Sequence, residues 1–254
     1  MRGKKIALIF WIALIFTPHS LSQDEEKIQQ LFQDAIQAMG GDAYLNVTDM
    51  VSNGQWFVFD REGRSSTPIK YTDYTKLPDK SRYEEGNNKN NLEITVFNLA
   101  TNEGWIKEGR KETREATPEE LRDFKRVVKH QIDIIFRQRY KNPDNRLFYL
   151  GPGEGRDVIL EMVKIVDPEN DEVVIYFDRI TKLPKKIEYW DMSGRGVRVR
   201  VVNEFSRWFS KQGVNTPLRL DVYVNGRRSS QHFVLEITYN NDLQDSFFSK
   251  PVSD

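Results

Sequence analysis

Few side chains in this sequence have the type and spacing that chemistry requires. The chain contains no cysteine, which removes disulfides, thiolate nucleophiles and cysteine-based metal sites together. Its three histidines are His19, His130 and His232. They are not spaced as a ligand pair, so hydrogen-bonded or surface histidines are expected rather than a metal site. No Gly-x-Ser-x-Gly elbow, His-Glu-x-x-His pair or phosphate-binding Gly-x-x-x-x-Gly-Lys loop occurs. Gly151-Pro152-Gly153-Glu154-Gly155 is the nearest approach to a phosphate cradle, but it lacks the lysine and leads into a strand, so a turn between strands is expected. Acids are plentiful. Neighbouring pairs such as Glu84-Glu85 point to opposite faces if they lie on a strand. A hydrolase assembled from dispersed acids stays open at this point, without a motif to support it.

Two other groupings stand out. Arg195, Arg198, Arg200 and Arg207, with Arg227-Arg228, could form a phosphate or headgroup patch. A solvated strand face balanced by nearby acids is the simpler expectation. The aromatics are more telling: Trp56, Phe57, Phe59, Phe97, Trp105, Tyr149, Tyr176, Phe177, Tyr189 and Trp190 crowd the candidate strands of an otherwise polar chain. Most must fill a core between sheet and helix. The alternative is a curved sheet whose concave side encloses an apolar cavity, with a helix as its cover.

The elements that must position these residues begin with a helix. Ile28, Leu31, Phe32, Ala35, Ile36 and Met39 recur at three- and four-residue spacing, and Gly40-Gly41 supplies the stop. From about Val51 the period becomes two, as in Leu92–Phe97 and Val197–Val201. A second helix interrupts the strands. Thr117-Pro118-Glu119-Glu120 offers a cap, a proline at the first helical position and a capping-box glutamate. Leu121, Phe124, Val127, Val128, Ile132 and Ile135 continue it as a stripe ending before Asn142-Pro143. The Asn46-Val47-Thr48 sequon is expected to be a turn after the first helix. Ten or eleven antiparallel strands and two helices follow, in one domain over residues 23–254.

Lys plus Arg and Asp plus Glu both number 38, and hydrophobic residues are only 38% of the chain. That balance argues against a nucleic-acid footprint, which needs a basic excess. The first 22 residues have the layout of a secretory signal peptide. A basic start precedes eleven apolar residues, Ile6 to Phe16, and small residues Ser20 and Ser22 stand near the end. Eleven apolar residues fall short of the roughly 20 needed to span a bilayer. Cleavage is predicted near Ser22–Gln23. It leaves 35 basic against 38 acidic residues, a net charge of −3.

Several strings, in order, then carry a resemblance. They are Ala38-Met39-Gly40-Gly41 closing the first helix, Gly104-Trp105, Thr117-Pro118-Glu119-Glu120-Leu121 and Phe148-Tyr149-Leu150-Gly151. Phe177-Asp178-Arg179-Ile180-Thr181-Lys182-Leu183-Pro184-Lys185-Lys186-Ile187, Gly213–Leu218 and Asn240–Pro251 complete the series. It resembles the periplasmic outer-membrane lipoprotein-sorting proteins, the LolA/LolB-like superfamily that includes the sensor domain of RseB-type regulators. The resemblance implies a mainly β fold: an unclosed antiparallel β-barrel wrapped around helices, with a cavity that accepts acyl chains. The missing cysteine departs from the lipid-anchored receptor type.

The function expected from this combination is a soluble periplasmic carrier, a monomer without cofactor or metal. It would hold lipid or lipoprotein acyl chains, touching a membrane surface only transiently. Trp56, Phe57, Val96, Phe97, Trp105, Phe124 and Val128 are the expected cavity and cover. The alternative is an envelope interaction or sensor module that grips a protein partner with the same fold.

Overall fold

The computed structural model describes residues 23–155, 158–194 and 196–250. The predicted signal peptide, residues 1–22, lies outside the described residues, as does Arg195. No described helix is long and apolar enough to cross a membrane.

Four helices and thirteen strands follow one another along the described chain. Helices α1 (Gln23–Ala38) and α2 (Asp42–Leu45) come first. Strands β1 (Asp49–Val58), β2 (Ile69–Lys76), β3 (Lys80–Glu85), β4 (Glu93–Asn98), β5 (Glu103–Glu108) and β6 (Arg114–Glu115) then run as a meander. Helices α3 (Pro118–Lys129) and α4 (Ile132–Arg137) interrupt the strands. After them come β7 (Arg146–Gly155), β8 (Val158–Val166), β9 (Glu172–Asp178) and β10 (Pro184–Met192). Strands β11 (Arg198–Lys211), β12 (Val214–Val224) and β13 (Arg227–Tyr239) complete the set.

All thirteen strands belong to one antiparallel sheet, ordered β6-β5-β4-β3-β2-β1-β13-β12-β11-β10-β9-β8-β7. Its end strands, β6 and β7, do not pair with each other, so the sheet is an unclosed half-barrel. The join is made by β1 and β13, which set the first and last strands side by side at the middle of the sheet. A register shift at Asn53/Gly54 bends that pair.

The helices occupy the concave side unevenly. Ile28, Leu31, Phe32, Ala35 and Ile36 form the buried stripe of α1. Phe32 stacks on Tyr140 at 4.3 Å and meets Phe136 and Phe177 edge-on, each at 5.2 Å. The inward side chains of β8 to β11 complete this core, among them Val163, Ile165, Val173, Ile175, Ile187 and Val201. One half of the barrel is thus filled with hydrocarbon. The half formed by β1 to β4 is not.

Three expectations change in detail. The stripe running from Leu121 to Ile135 is two helices, not one, because His130 is drawn out of the helical path. It is buried, its Nε2 lies 3.0 Å from the Asp171 carboxylate, and its ring stacks on Tyr189 at 3.9 Å. The glycine-rich Gly151–Gly155 segment is not a turn but the end of β7. A Cβ at Gly153 would lie 2.8 Å from the Met162 sulfur, so glycine is what lets the two strands close up there. The strand count exceeds the expected ten or eleven because β2, β3 and β6 carry too few apolar residues to show alternation.

Candidate functional site

A cavity of about 640 Å³ fills the unoccupied half of the barrel. Its floor is the concave face of β1 to β4 and β11 to β13. Its cover is α3, the corner between α3 and α4, and the ends of α1 and α2. Strand periodicity decides which side chains face it. On β4 Thr95 and Phe97 point in, while Ile94 and Val96 point out. On β13 His232 and Val234 line the cavity, and so do Ile237 and Tyr239 beyond the bulge.

The cover is held by its ends. Helix α3 begins with the predicted capping box: Thr117 Oγ1 accepts from the Glu120 N–H, and the Glu120 carboxylate accepts from the Thr117 N–H at 2.8 Å. Arg114 donates two bonds to the same carboxylate at 2.8 and 2.9 Å, and its guanidinium is the main reason that carboxyl is lowered to about 2. At the other end Arg126 pairs with Asp191 of β10. Below the corner Asp171 gathers His130 and, at 2.9 Å, Arg139. Burial would raise that carboxyl, but the bond from His130 and the nearby Arg139 and Lys129 charges hold it below its usual value.

From α3, Phe124 and Val127 reach the cavity. Phe124 stacks on Phe97 at 4.1 Å between ring centres. This contact depends on Gly104 of β5, where a Cβ would come within 2.6 Å of the Phe97 ring. The rest of the apolar wall comes from Met39, Ile132, Phe205, Leu220, Val222 and Val234.

Of the seven expected cavity residues, Phe97 and Phe124 are brought together on the wall. Trp56 lies one step beyond it, stacked on His232 at 5.5 Å and donating to Glu85 at 3.0 Å. Phe57, its neighbour along β1, meets Phe233 edge-on at 6.0 Å, on the opposite face of the strand. Val96 and Trp105 also point outward. They pack under the C-terminal segment around Leu243, Phe247 and Phe248. That segment is tied down by Asp49, which accepts from the backbone N–H groups of Asn241 and Leu243, and by Lys76, whose ammonium reaches the Leu243 carbonyl at 2.8 Å. Val128 is buried at the end of α3 and does not line the cavity.

Sequence reasoning missed the apolar wall residues of β11 to β13 and, on β1 to β4, a set of polar ones. Ser52, Tyr71, Asp73, Thr75, Ser81, Tyr83 and Thr95 make a continuous polar wall across β1 to β4. Asp73 keeps some accessible surface, but it is surface facing the cavity. Burial there raises its carboxyl to about 6. Burial also pushes the Tyr71 and Tyr83 hydroxyls well above the usual phenol value and holds His232 down at about 4, so it is neutral at pH 7. A period-two signal exists on β2 and β3, but it is one of aromatic and small polar residues, which hydrophobicity does not mark.

The remaining chemical candidates resolve into structure. Arg200 is doubly bonded to Glu188 at 2.6 Å, Arg228 lies 3.2 Å from Asp221, and Arg198 covers the Trp190 ring at 4.7 Å. These are the balanced charges of an outer strand face. Thr48 of the sequon donates from its N–H to the Asn240 side chain at 2.8 Å, beside the turn that ends α2.

An open antiparallel half-barrel with helices on its concave side and a cavity beneath them is an architecture with solved relatives. A LolA superfamily protein from Nitrosomonas europaea matches at a TM-score of 0.59, over 87% of this chain and 97% of that one, with 11% identity. The chain has a LolA-like fold. A DUF1329 family protein from Desulfovibrio piger matches at 0.60 over 87% and 97%, with 12% identity. A candidate outer-membrane lipoprotein-sorting protein domain from Vibrio parahaemolyticus matches at 0.55 over 88% and 96%, with 10% identity. No protein-family model matches the sequence. No curated protein matches it either. The LolA-like likeness therefore lives in the fold, at identities where side chains have diverged.

Proposed function

We propose that this protein is an exported periplasmic carrier that holds lipidated or otherwise apolar cargo, lipid or lipoprotein acyl chains, without making or breaking a covalent bond. The observation that carries the reading is the cavity of about 640 Å³ beneath a separately anchored helix. Its size lies in the range of roughly 300–1,000 Å³ typical of small-molecule sites. An acyl chain entering from water gains about 0.8 kcal/mol for each methylene buried. Phe97, Phe124, Val127, Phe205 and Val222 supply the surface that receives it. The LolA-like fold supports the same reading. The basic start and apolar run at residues 1–16 support export.

Release requires the cover to yield. Helix α3 is suited to that, because it buries only Leu121 and Val128, with polar contacts at its ends and one aromatic stack at its middle. In this reading the Phe97–Phe124 pair closes the empty cavity and separates when cargo enters. Native mass spectrometry of gently purified protein, with displacement of a fluorescent fatty acid, tests the proposal. One lipid-sized adduct per chain, or saturable uptake, is expected. Neither adduct nor uptake, with a single envelope protein captured instead, would favour the interaction module.

A further inference from the structure

A cavity made only for an acyl chain has no use for a buried carboxylate, yet Asp73 sits in its wall. Its neighbours define a distinct end of the site. In the β2–β3 register Asp73 stands opposite Tyr83, and in the β1–β2 register opposite Ser52. Tyr71, two residues before it on the same face, lays its ring nearly parallel to that of Tyr83, 5.6 Å away. The carboxylate receives one long hydrogen bond, 3.4 Å from the Thr75 hydroxyl, and no described lysine or arginine pairs with it. The other charged wall residues, Asp133 and Arg137, neutralise each other at 3.1 Å. His232, on neighbouring β13, is already engaged by Ser230 and stacked on Trp56. An uncompensated anion, two tyrosine faces and small hydroxyls thus occupy one end of the cavity, and hydrocarbon the other.

We propose that the cavity is specific for an amphipathic ligand whose polar end is an ammonium group, seated between Asp73 and the Tyr71 and Tyr83 rings, with its apolar tail under α3. Opposite charge at close range offsets the cost of burying the carboxylate. Aromatic faces attract a cation within about 6 Å of their centres. A fatty acid would place a second anion against Asp73 and is disfavoured at this end. The inference rests on the carrier reading and narrows it to a headgroup chemistry. That ammonium group can belong to a phospholipid headgroup or to a free long-chain amine.

The test measures affinities of dodecylamine, dodecanol and dodecanoate, each below its solubility limit or micelle concentration, by calorimetry near pH 7.5. Lysophosphatidylethanolamine and lysophosphatidylglycerol are compared in parallel. The expected order is amine, alcohol, carboxylate, with roughly tenfold or more between the extremes. Asp73→Asn should collapse that preference while leaving dodecanol affinity within about twofold. A matching preference for the ethanolamine lipid assigns a lipid headgroup; a preference confined to dodecylamine assigns a free amine. Equal affinity for all three heads, or an unchanged ratio in Asp73→Asn, overturns the ammonium site and leaves the carrier reading standing. No binding of any amphiphile overturns both. A melting temperature of Asp73→Asn at or above that of the parent protein establishes that the variant is folded and that Asp73 serves binding rather than stability.

Discussion

Asp73 and Asp171 are both half-buried carboxylates, and their opposite environments make opposite predictions. The Asp73 carboxyl is raised to about 6 by burial, with only the Thr75 hydroxyl opposing and the Tyr71 and Tyr83 phenols facing it. Its ionised form is therefore disfavoured in the folded chain. That penalty grows as pH rises from about 4 to about 6 and is fully present above, worth up to roughly 3 kcal/mol. Asp73→Asn should accordingly melt higher than the parent at pH 7, with the difference vanishing near pH 4, as differential scanning calorimetry would show. Asp171 is held below its ordinary value, so its contribution is present above about pH 4 and is lost as pH falls further. Asp171→Asn takes the carboxylate from buried His130 and leaves buried Arg139 only Asp167 as an anion, at 3.6 Å. On the order of 3 kcal/mol of stability should be lost at pH 7 in denaturant titration. The same pair would separate a binding carboxylate from a structural one.

At the level of elements, α3 stands apart from the rest, since it contributes no buried residue to the main core around α1. Its capping box joins the helix start to β6 through Arg114 and Glu120. Thr117→Ala removes the bond to the Glu120 N–H and should cost about 1 kcal/mol of helix stability. Faster amide exchange over residues 119–124 than in α1 would register that loss. A second handle lies across the cavity. Gly104→Ala introduces a Cβ that meets the Phe97 ring, backed by the Ala116 methyl at 3.0 Å, so the ring must shift. The Phe97–Phe124 stack should then loosen, and a bound fluorescent long-chain amine should dissociate faster while the global melting temperature changes little. An unchanged dissociation rate would mean that the aromatic pair does not gate the cavity.

The whole molecule divides its concave side between two tasks. Around α1 the barrel is packed tightly enough to define the fold, with Phe32, Ile135, Phe136, Val163 and Ile175 fully excluded from water. Around β1 to β4 it is left hollow. A ligand that fills the hollow binds the folded chain alone, so saturation to a hundred times its dissociation constant should stabilise by about 2.7 kcal/mol. For a chain of this size that corresponds to a rise of roughly 5–10 °C in melting temperature. A lipid that leaves the transition unmoved at such concentrations is not cavity cargo. The convex face is closed separately by the C-terminal segment, where Phe247 lies against Tyr74 at 4.8 Å and beneath the Arg82 guanidinium at 4.5 Å.

Hydrophobic periodicity by itself determined α1 and most of the β7-to-β13 run, because each of those elements buries one face against hydrocarbon. The start of α3 was legible in its capping residues, and the unclosed half-barrel only in the resemblance of several ordered strings. Periodicity also singled out Phe97 and Phe124. Tertiary structure decided the rest. Val96 and Trp105 belong to the outer face because a C-terminal segment distant in sequence covers them. The break between α3 and α4 exists because His130 finds Asp171 and Tyr189 on other elements. Strands β2 and β3 escaped notice because Tyr71, Asp73, Thr75, Ser81 and Tyr83 face a cavity instead of a core. A wall that must remain open to a ligand need not be apolar, so its alternation is invisible to a pattern that records only what is buried dry.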